Sequence, residues 1–424
     1  MKTCPALLFI LLLIPLATTT FSQPLDEEDH QIISSVETFF RSIETADAKM
    51  ATKVLSPQLI SISRKNGAVD FSMYDQILTT ISEAKNWKEE SLGYSVTKSH
   101  NFAVVKTPYN FYIDGALSHC GTDTFDMVKT PGVGWQIKQI KYDLKTTDCM
   151  ESEQPDFKIG LIADVQYCDC PNTKRRYYKN SLDKLASCLK DLNAQQPDFF
   201  LDMGDLIDKD WKSYDEILQI YKRAEAPVYR VIGNHDYDIE EARKPQVKKV
   251  LELPANYYHK VHKGWRFIML DGNEVSTYAP GPHKARAKAT LLQLEQSGAE
   301  HAKPFNGGMS QKQLDWLKAQ LAEAKTAGEK VIIVNHFPVY PATRHTLWNK
   351  EELMDILSGS DEVVAYLCGH NHEGNYGYLN GVHYLTLKGM VDTPDETAYS
   401  LMEVYSDKLV IKGTGREPSR ILQF

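Results

Sequence analysis

The chain has 424 residues, of which 42% are hydrophobic, and its 48 Lys and Arg against 56 Asp and Glu give a formal charge of −8. This composition is ordinary for globular proteins and excludes disordered, collagen-like and coiled-coil chains. The acidic balance, without a long run of Lys or Arg, also excludes nucleic acid as a partner. At about 100–200 residues per domain, the length predicts two or three domains.

Residues 1–22 have the pattern of a cleavable secretory signal, with Lys2, an apolar run from Ala6 to Ala17, and the small residues Thr20 and Ser22 at positions −3 and −1 of the cleavage site. An uncleaved membrane anchor is the alternative, but a spanning helix needs about 20 apolar residues and this run contains Pro15. We therefore expect an exported protein, periplasmic or secreted, without stable insertion in a membrane.

Export would place six of the seven cysteines in an oxidising compartment, where disulfides are permitted. Cys168-Asp169-Cys170 resembles half a metal site, but no second cysteine pair at zinc-ligand spacing accompanies it. We expect structural or free cysteines there. A disulfide between Cys120 and Cys149 is a further hypothesis, which depends on whether their Cα atoms come within bridging distance.

The first predicted domain, residues 23–150, opens with an amphipathic helix over Leu25–Glu44, where apolar residues recur at helical spacing. A second helix is predicted over Val69–Ala84. Strands separated by turn signals follow over Trp87–Lys98, Phe102–Ile113, Leu117–Lys129 and Gly134–Leu144. Helices followed by a strand meander predict an α+β unit.

The second predicted domain, residues 151–424, begins with strands that alternate with helices. These elements are strand Phe157–Ala163, helix Tyr177–Asn193, strand Asp198–Met203, helix Tyr214–Ala224 and strand Val228–Ile232. The alternation predicts parallel strands in a sheet that is covered on both faces. A helix over Ser310–Ala327, capped by Ser310, and further buried strands at Arg266–Leu270, Lys330–Val334, Val363–Cys368, Val382–Leu387, Leu401–Tyr405 and Leu409–Gly413 complete the domain.

Polar side chains that could bind metal follow five of these strands directly. The segments at these five strand ends are Asp164 and Gln166, Gly204 and Asp205, Gly233 to Asp236, Asn335 and His336, and Gly369 to His372, in which the Asp, Asn, Gln and His side chains are the possible ligands. A lone Asp after a strand is more often a helix cap, and a lone His is more often a hydrogen-bonded structural residue. In α/β sheets, however, the carboxyl ends of the strands converge on one crevice. Five such ends together therefore predict one shared site.

The predicted ligands are two carboxylates, two side-chain amides and three imidazoles, with no thiolate. They are Asp164, Gln166, Asp205, Asn234, His336, His370 and His372. This mixture of oxygen and nitrogen donors suits two borderline or hard divalent ions. One carboxylate can bridge two ions about 3.5–4 Å apart, which together clamp a phosphate. Asp205, which stands among the other ligands in sequence, is the expected bridge.

The same motifs resemble those of the calcineurin-like metallophosphoesterases. The resemblance rests on Asp164 with Gln166, the GDLID from Gly204, the GNHD from Gly233, the loop of His336 and the GHNH from Gly369. Most members carry Asp-x-His at the first motif, whereas this chain carries Asp-x-Gln. That departure resembles the manganese-dependent ADP-ribose/CDP-alcohol diphosphatases, as do Arg175-Arg176-Tyr177-Tyr178, HFPVYP from His336, Trp348-Asn349 and GTGREPSRIL, over roughly residues 157–422.

The resemblance implies a two-sheet sandwich flanked by helices (αββα) that holds two Mn²⁺ ions. Asp164, Gln166, Asp205 and His372 would hold one ion, and Asp205, Asn234, His336 and His370 the other. His235 would be catalytic and would stabilise or protonate the departing oxygen. Replacing an imidazole by the amide oxygen of Gln166 makes the first position harder, which favours Mn²⁺ over zinc or a redox-active iron pair.

The implied reaction cleaves small nucleotide diphosphate derivatives, such as ADP-ribose or CDP-alcohols, to a nucleoside monophosphate and a phosphorylated sugar or alcohol. A phosphomonoesterase or a cyclic-nucleotide phosphodiesterase could use the same metal site, and a non-catalytic binding protein is a rival of another class. Arg175 and Arg176 could bind a second phosphate or be solvated. Asp236 could orient His235 or be a bystander.

The N-terminal domain is similar to the nuclear transport factor 2-like (SnoaL-like) cone fold, in which helices pack on a curved sheet. The similarity rests on the order of the elements and on the closing strand that begins Gly134-Trp135-Gln136-Ile137. Members of that group include enzymes and dimerisation modules, so the similarity leaves the function of this domain open. A homodimer through the N-terminal domain is one of the possibilities that the similarity leaves open.

Overall fold

A computed structural model describes residues 25–65, 68–281 and 283–424. The predicted signal segment, residues 1–22, lies outside the described residues. Within the described ranges, no helix combines the length and the apolar character that crossing a membrane requires.

The N-terminal domain packs three helices against one sheet of seven strands. The helices are α1 (Glu27–Glu44), α2 (Ala48–Thr52) and α3 (Tyr74–Glu83), and the strands are β1 (Leu55–Lys65), β2 (Ala68–Met73), β3 (Trp87–Ser91), β4 (Ser95–Ser99), β5 (Phe102–Ile113), β6 (Ala116–Thr130) and β7 (Gly134–Leu144). The strand order is β2-β1-β7-β6-β5-β3, and β4 also pairs with β5. Apolar residues of α1 such as Val36 and Phe40 pack on Phe125 and Ile137 of the sheet, and this cluster forms the core of the domain.

Three details of this domain differ from the sequence prediction. The helix predicted from Val69 is wrong in its first part, because Ala68–Met73 pairs antiparallel with β1 and the helix begins only at Tyr74. The strand Leu55–Lys65 was not predicted, since it contains Pro57 and several polar residues. The strand predicted over Trp87–Lys98 is two strands, separated by a turn at Gly93, where φ is +135°.

The second domain is a sandwich of two six-stranded sheets with helices on both outer faces, as predicted. Its strands are β8 (Phe157–Ile162), β9 (Phe199–Asp202), β10 (Val228–Arg230), β11 (Tyr258–His262), β12 (Trp265–Met269), β13 (Val275–Ser276), β14 (Gly307–Gly308), β15 (Lys330–Val334), β16 (Val363–Cys368), β17 (Asn375–Leu379), β18 (Val382–Thr386), β19 (Ala398–Val404), β20 (Lys408–Gly415) and β21 (Arg420–Gln423). The helices are α4 (Ser181–Ala194), α5 (Ser213–Tyr221), α6 (Val247–Val250), α7 (Lys284–Gln296), α8 (Gln311–Ala327) and α9 (Lys350–Ser358).

One sheet has the order β10-β9-β8-β19-β20-β21, and the other has the order β11-β12-β15-β16-β18-β17. The inner faces pack on each other through residues such as Leu161, Phe267 and Leu367. Helices α4 and α5 cover the first sheet, and α8 and α9 cover the second. The predicted cap of α8 is present, because Ser310 Oγ accepts the backbone N–H of Gln313 at 3.3 Å.

The last strand of the N-terminal sheet ends at Leu144, and the first strand of the sandwich begins at Phe157. The predicted boundary between residues 150 and 151 falls between them and stays a prediction. The hypothesised disulfide between Cys120 and Cys149 is present, with a Cα–Cα distance of 5.7 Å. Cys168 and Cys170 also form a disulfide, so they are structural rather than half of a metal site.

Candidate metal centre

Five strand ends place the predicted ligands side by side at one edge of the sandwich. Strands β8, β9 and β10 lie in one sheet and β15 and β16 in the other, and parallel pairing aligns their carboxyl ends. The loops that follow carry seven side chains that are each at most 8% exposed: Asp164, Gln166, Asp205, Asn234, His336, His370 and His372. The structure thus brings every predicted ligand into one buried cluster, and ligation itself stays a prediction.

Four of these residues adopt a left-handed backbone conformation that residues other than glycine rarely take. The angle φ is +52° at Asp164, +44° at Gln166, +58° at Asp205 and +67° at His370. Each such position costs on the order of 1–3 kcal/mol, and they cluster at functional sites where the surrounding structure fixes them. A glycine is needed at position 233, because a side chain there would collide with the carboxylate of Asp205.

The side chains predicted to hold the first ion surround the ring of His372. Its Nε2 lies 3.3 Å from Asp164 Oδ1 and 3.2 Å from Gln166 Nε2. The same amide nitrogen of Gln166 donates to Asp205 Oδ2 at 2.9 Å, while the amide oxygen accepts from Arg176. The amide of Gln166 must therefore turn over to present its oxygen to an ion.

The side chains predicted to hold the second ion meet at His336. Its Nδ1 lies 2.7 Å from the carbonyl oxygen of Met203, which can only accept, so Nδ1 carries the hydrogen. Nε2 then presents a lone pair, and it faces Asp205 Oδ2 at 3.3 Å and Asn234 Oδ1 at 3.2 Å. A proton or a metal ion between these three atoms would satisfy them, so the residues present fit a divalent ion.

The ring of His370 is oriented for the same purpose by Asn306. The amide of Asn306 donates to the carbonyl groups of His301 and Arg344, both at 2.9 Å, so its oxygen must accept. That oxygen lies 2.9 Å from His370 Nε2, which therefore carries the hydrogen and leaves Nδ1 as the ligand atom. Asp205, His336 and His370 offer ligand atoms that all lie within 4.8 Å of one another.

Asp205 is the residue shared by the two groups. Its Oδ2 accepts from Gln166 in the first group and lies against His336 in the second, and its Oδ1 accepts the backbone N–H of His235 at 2.7 Å. Burial opposes ionisation of this carboxyl, but the neighbouring His336 and His235 hold its pKa well below the usual range. This geometry suits the bridging position that the sequence predicts for Asp205.

The electrostatic field at the cluster is negative. Burial alone would lower the pKa of His336, but the charges of Asp205 and Asp164 raise it to about 9. Burial would likewise lower the pKa of His372, and the carboxylates of Asp164 and Asp392 raise it instead. A field that favours a proton on an imidazole also favours a divalent cation, so metal and protons compete for these rings.

His235, the predicted catalytic residue, lies beside the cluster and not within it. Its Nδ1 is 3.0 Å from Asp208 Oδ1, and its side chain is 20% exposed. The carboxylate fixes the hydrogen on Nδ1, so Nε2 is the atom that can meet a substrate. Burial lowers the pKa of His235, but Asp205 and Asp208 raise it overall, so the ring is predisposed to carry the proton that a departing oxygen needs.

Asp236 has neither of the two roles predicted for it. Its Oδ2 accepts the backbone N–H groups of Asp205 and Gly233, both at 2.9 Å, and its Oδ1 accepts that of Leu206 at 3.1 Å. The hydroxyl of Tyr214 donates to the same carboxyl at 3.2 Å. Asp236 therefore holds the backbone of two metal-site loops in place, and the residue that orients His235 is Asp208.

Of the two predicted phosphate-binding arginines, only Arg176 reaches the cluster. Its guanidinium donates to Gln166 and lies 3.2 Å from His372 Nε2. Arg175 points into solvent, where it pairs with Glu373 and its side chain is 74% exposed. The structure therefore places one positive charge, from Arg176, at the rim of the candidate metal site.

The sequence prediction missed three residues that orient the ligands and the acid. Asp208 is the last residue of the GDLID motif, and Asp392 comes five residues after the predicted strand Val382–Leu387. Asp392 Oδ1 lies 2.8 Å from His372 Nδ1 and fixes that ring. Asn306 lies in a loop without any periodic or motif signal, so nothing in the sequence marked it.

Comparisons with known proteins agree with this site. The calcineurin-like phosphoesterase family matches residues 157–374, about half of the chain. A manganese-dependent ADP-ribose/CDP-alcohol diphosphatase from Mus musculus is 31% identical over 323 residues, which cover 65% of this chain and 95% of that protein. A protein of the same name from Arabidopsis thaliana is 30% identical over 302 residues, covering 63% of this chain and 97% of its own.

Among solved structures, a dimetal phosphatase from Danio rerio has a TM-score of 0.58 and 26% identity, and covers 64% of this chain and all of its own. A nuclear transport factor 2-like superfamily protein from Salmonella enterica covers 29% of this chain and 96% of its own, with 16% identity and a TM-score of 0.24. With this family match, these relatives and a buried donor set that fits divalent ions, the chain belongs to the calcineurin-like phosphoesterases and is a metal-dependent phosphohydrolase.

Proposed function

We propose that this chain hydrolyses the diphosphate bond of small nucleotide diphosphate derivatives, such as ADP-ribose or CDP-alcohols. The products would be a nucleoside monophosphate and a phosphorylated sugar or alcohol. The proposal is supported by the names of the relatives at 30–31% identity. The observation that favours a diphosphate as substrate is the position of the Arg176 guanidinium, which lies beside the predicted metal ligand His372.

Arg176 favours a diphosphate because its guanidinium lies beside the predicted metal site. A divalent pair held by the seven ligands can neutralise one phosphoryl group, and a diphosphate has a second group immediately beside it. A guanidinium can bind that second group through two parallel hydrogen bonds. A phosphomonoester has no second group for Arg176 to bind, so this side chain favours a diphosphate substrate.

We propose Mn²⁺ as the working ion, because Gln166 supplies an amide oxygen where most relatives of the wider family supply an imidazole. Two divalent ions would activate water and neutralise charge on the phosphoryl oxygens. Side chains of the chain itself would bind the substrate and supply the proton. Arg176 would hold the second phosphate, His235 Nε2 would donate a proton to the departing oxygen, and Asp208 would keep that ring in the right orientation.

The test is a substrate panel on the full chain after chelator treatment. ADP-ribose, CDP-choline, a cyclic nucleotide and an aryl phosphomonoester would each be incubated with Mn²⁺, with Mg²⁺ or without metal, and the products separated by chromatography. We expect release of AMP or CMP that depends on Mn²⁺. Turnover of the monoester or of the cyclic nucleotide alone would instead favour the phosphomonoesterase or phosphodiesterase alternative.

The rival of another class, a non-catalytic binding protein, predicts no turnover of any substrate and no effect of replacing His235. Such a protein would be expected to lack one or more of the metal ligands. The complete cluster of seven buried ligands argues against it. Binding of ADP-ribose without hydrolysis in the presence of Mn²⁺ would instead support a non-catalytic binding protein.

Export is part of the proposal, with residues 1–22 as a cleavable signal. N-terminal sequencing of the protein recovered from the medium or the periplasm should begin just after Ser22. A chain that begins at Met1 and stays with the membrane fraction would contradict it.

A homodimer through the N-terminal domain also stays a proposal. It is supported by the exposed edge strand β2, on which Val69, Phe71 and Met73 are each more than half exposed on one face. Sedimentation of the full chain should give twice the monomer mass, and Phe71→Glu should return the monomer. A wild-type chain that sediments as a monomer at micromolar concentration would overturn this proposal.

A further inference from the structure

One stretch of backbone, residues 389–393, lies against the ring of the predicted ligand His372. Gly389 packs so closely on this ring that a Cβ at position 389 would lie 2.5 Å from Cγ of His372. Three residues further along, Asp392 Oδ1 lies 2.8 Å from His372 Nδ1. The 389–393 segment therefore contacts the ring at two points.

The same segment also contacts the backbone of the predicted ligand Asp164. The N–H of Met390 donates to the carbonyl of Ala163 and the N–H of Val391 to the carbonyl of Asp164, both at 3.0 Å. These bonds support a strained residue, because the φ of +52° at Asp164 is one that residues other than glycine rarely adopt. The 389–393 segment thus supports two of the residues predicted to bind the first ion.

Three carbonyl groups of the segment meet a single lysine. Lys184 of α4 donates from its Nζ to the carbonyl oxygens of Met390, of Asp392 at 3.3 Å and of Thr393 at 3.0 Å. An ammonium group has three N–H donors and no acceptor. The three carbonyls therefore match the full hydrogen-bonding capacity of Lys184.

Lys184 makes these bonds from a buried position. It is 6% exposed, although lysine is almost never buried so far unless it is paired. Burial first, and then the charge of Arg416, lower the pKa of Lys184 to about 8, and the carboxylates of Asp392 and Asp395 offset this only in part. At pH 7 the side chain is still an ammonium group, and the carbonyls of the segment are its partners.

Loss of this ammonium group would leave the carbonyls of Met390 and Asp392 without a strong donor inside the protein. Both bonds from Lys184 to these carbonyls are buried. Buried carbonyls that lose a donor are unfavourable, so the backbone would turn to find other partners. Such a turn would also move the carboxylate of Asp392, and a hydrogen bond weakens steeply when its atoms leave the proper geometry. The contact between Asp392 and His372 therefore depends on Lys184.

We propose that Lys184 is a positioning residue for the first of the two predicted metal ions. It holds the 389–393 segment in the conformation in which Asp392 fixes the ring of His372. Lys184 acts through this segment, because its hydrogen bonds within the described chain go to backbone carbonyls of the segment. The inference rests on the metal site of the proposed function and not on its substrate.

The other end of the segment has its own supports. Arg416 donates to the carbonyl of Gly389, and the N–H of Lys388 donates to Glu417 Oε2 at 2.7 Å. These bonds remain when Lys184 is replaced. A variant at position 184 should therefore loosen the end of the segment that carries Asp392 and leave the end at Gly389 in place.

The test is a titration of the chelator-treated full chain with Mn²⁺ at pH 7, in which electron paramagnetic resonance reports the free ion. Substrate is left out, so the readout is metal binding alone. K184M keeps the length of the side chain and removes its N–H donors. We expect K184M to bind one of the two ions about tenfold more weakly than the wild type. K190M alters an exposed lysine of the same helix and should bind Mn²⁺ like the wild type.

The double variant K184M/D392A distinguishes positioning from a general loss of stability. If Lys184 acts through Asp392, the removal of Asp392 leaves it nothing to position, and the double variant should bind Mn²⁺ about as weakly as D392A alone. Independent effects would instead multiply. If K184M does not fold, K184Q replaces it, because Gln keeps an amide donor on a shorter side chain; we expect a smaller loss of affinity for the same ion.

Wild-type affinity for both ions in the folded variant at position 184 would overturn the proposal. Losses that multiply in the double variant would overturn it as well. Failure of the proposed function would look different, because a wild type that binds two Mn²⁺ ions but hydrolyses no diphosphate would contradict that function and leave the role of Lys184 in place.

Discussion

His235 and Asp208 form a hydrogen-bonded pair at the rim of the metal cluster, with 3.0 Å between Nδ1 of the ring and Oδ1 of the carboxylate. A carboxylate in this position fixes the tautomer and the orientation of the ring. Asp208 is therefore placed to orient His235 for the proton donation that we propose for this ring.

Replacing Asp208 should lower kcat and leave KM nearly unchanged, because the substrate-binding groups are untouched. We expect D208N to lose about 10–100-fold in kcat and H235A about 10²–10⁴-fold. D210N, two residues along the same loop, is the matched control and should keep wild-type rates. If D208N is as active as D210N across the pH range, Asp208 does not position the acid.

Asp392 should control metal affinity, since it fixes the His372 ring through a hydrogen bond at 2.8 Å. Loss of such a supporting group typically costs 10–100-fold in metal affinity, so D392N should need about that much more Mn²⁺ for half-maximal activity. Asp395 lies exposed in the same loop, and D395N should titrate like the wild type. Restoration of the D392N rate at saturating Mn²⁺ would distinguish weaker binding from a lost catalytic step.

Gln166 should set the choice of metal. The variant Q166H places an imidazole at a position where this chain has an amide, which softens the donor set. We expect the variant to gain activity with Zn²⁺ relative to Mn²⁺, whereas Q166N should keep the Mn²⁺ preference at a lower rate. Metal content after incubation with an equimolar mixture of the two ions gives a second readout. Identical preferences in Q166H and the wild type would contradict the role given to Gln166.

His30 should make the folded protein sensitive to acid. Its side chain is fully buried, both ring nitrogens lack partners among the described residues, and its ring packs on Tyr376 at 4.6 Å where the two domains meet. Burial first, and then the charge of Arg420, lower its pKa from 6.5 to about 3. The unfolded chain therefore binds a proton more readily than the folded chain between these values, and stability falls as the pH falls from 6.5.

The variant H30L removes this proton-binding difference. Between pH 7 and pH 5 the wild type should lose about 2 kcal/mol of stability through His30, at about 1.4 kcal/mol per pH unit below 6.5. H30L should lose correspondingly less, as measured by urea unfolding at both pH values. H100L alters an exposed histidine and is the control. A wild type and H30L with parallel pH profiles would show that His30 is not the acid-sensitive group.

The sequence could predict that the candidate metal ligands lie together, because each comes within a few residues of the end of a buried strand and these strand ends meet at one edge of the sandwich. It could not predict Asn306, because its contact with His370 joins two loops that are 64 residues apart. The role of Asp236 was missed for a related reason. Its partners are backbone N–H groups, including those of Asp205 and Leu206, and backbone groups leave no trace in residue types.

The sequence predicted the strands that have a buried face better than the exposed strand at the edge of the sheet. Strands with buried faces, such as Phe102–Ile113, were predicted with the bounds that the structure has. The edge strand β2 was not, because Val69, Phe71 and Met73 are exposed and no core contact enforces their pattern. Sequence patterns record which residues are buried, so elements at the edge of a sheet are the ones that such patterns predict poorly.

One carboxylate, Asp205, is predicted to bridge two divalent ions in this cluster. The most direct measurement is the number of Mn²⁺ ions bound per chain, by elemental analysis and by electron paramagnetic resonance, in the wild type and in D205N. A bridging Asp205 predicts two spin-coupled ions in the wild type, and loss of the coupling and of activity in D205N. A single ion in the wild type, or two coupled ions and full activity in D205N, would contradict it.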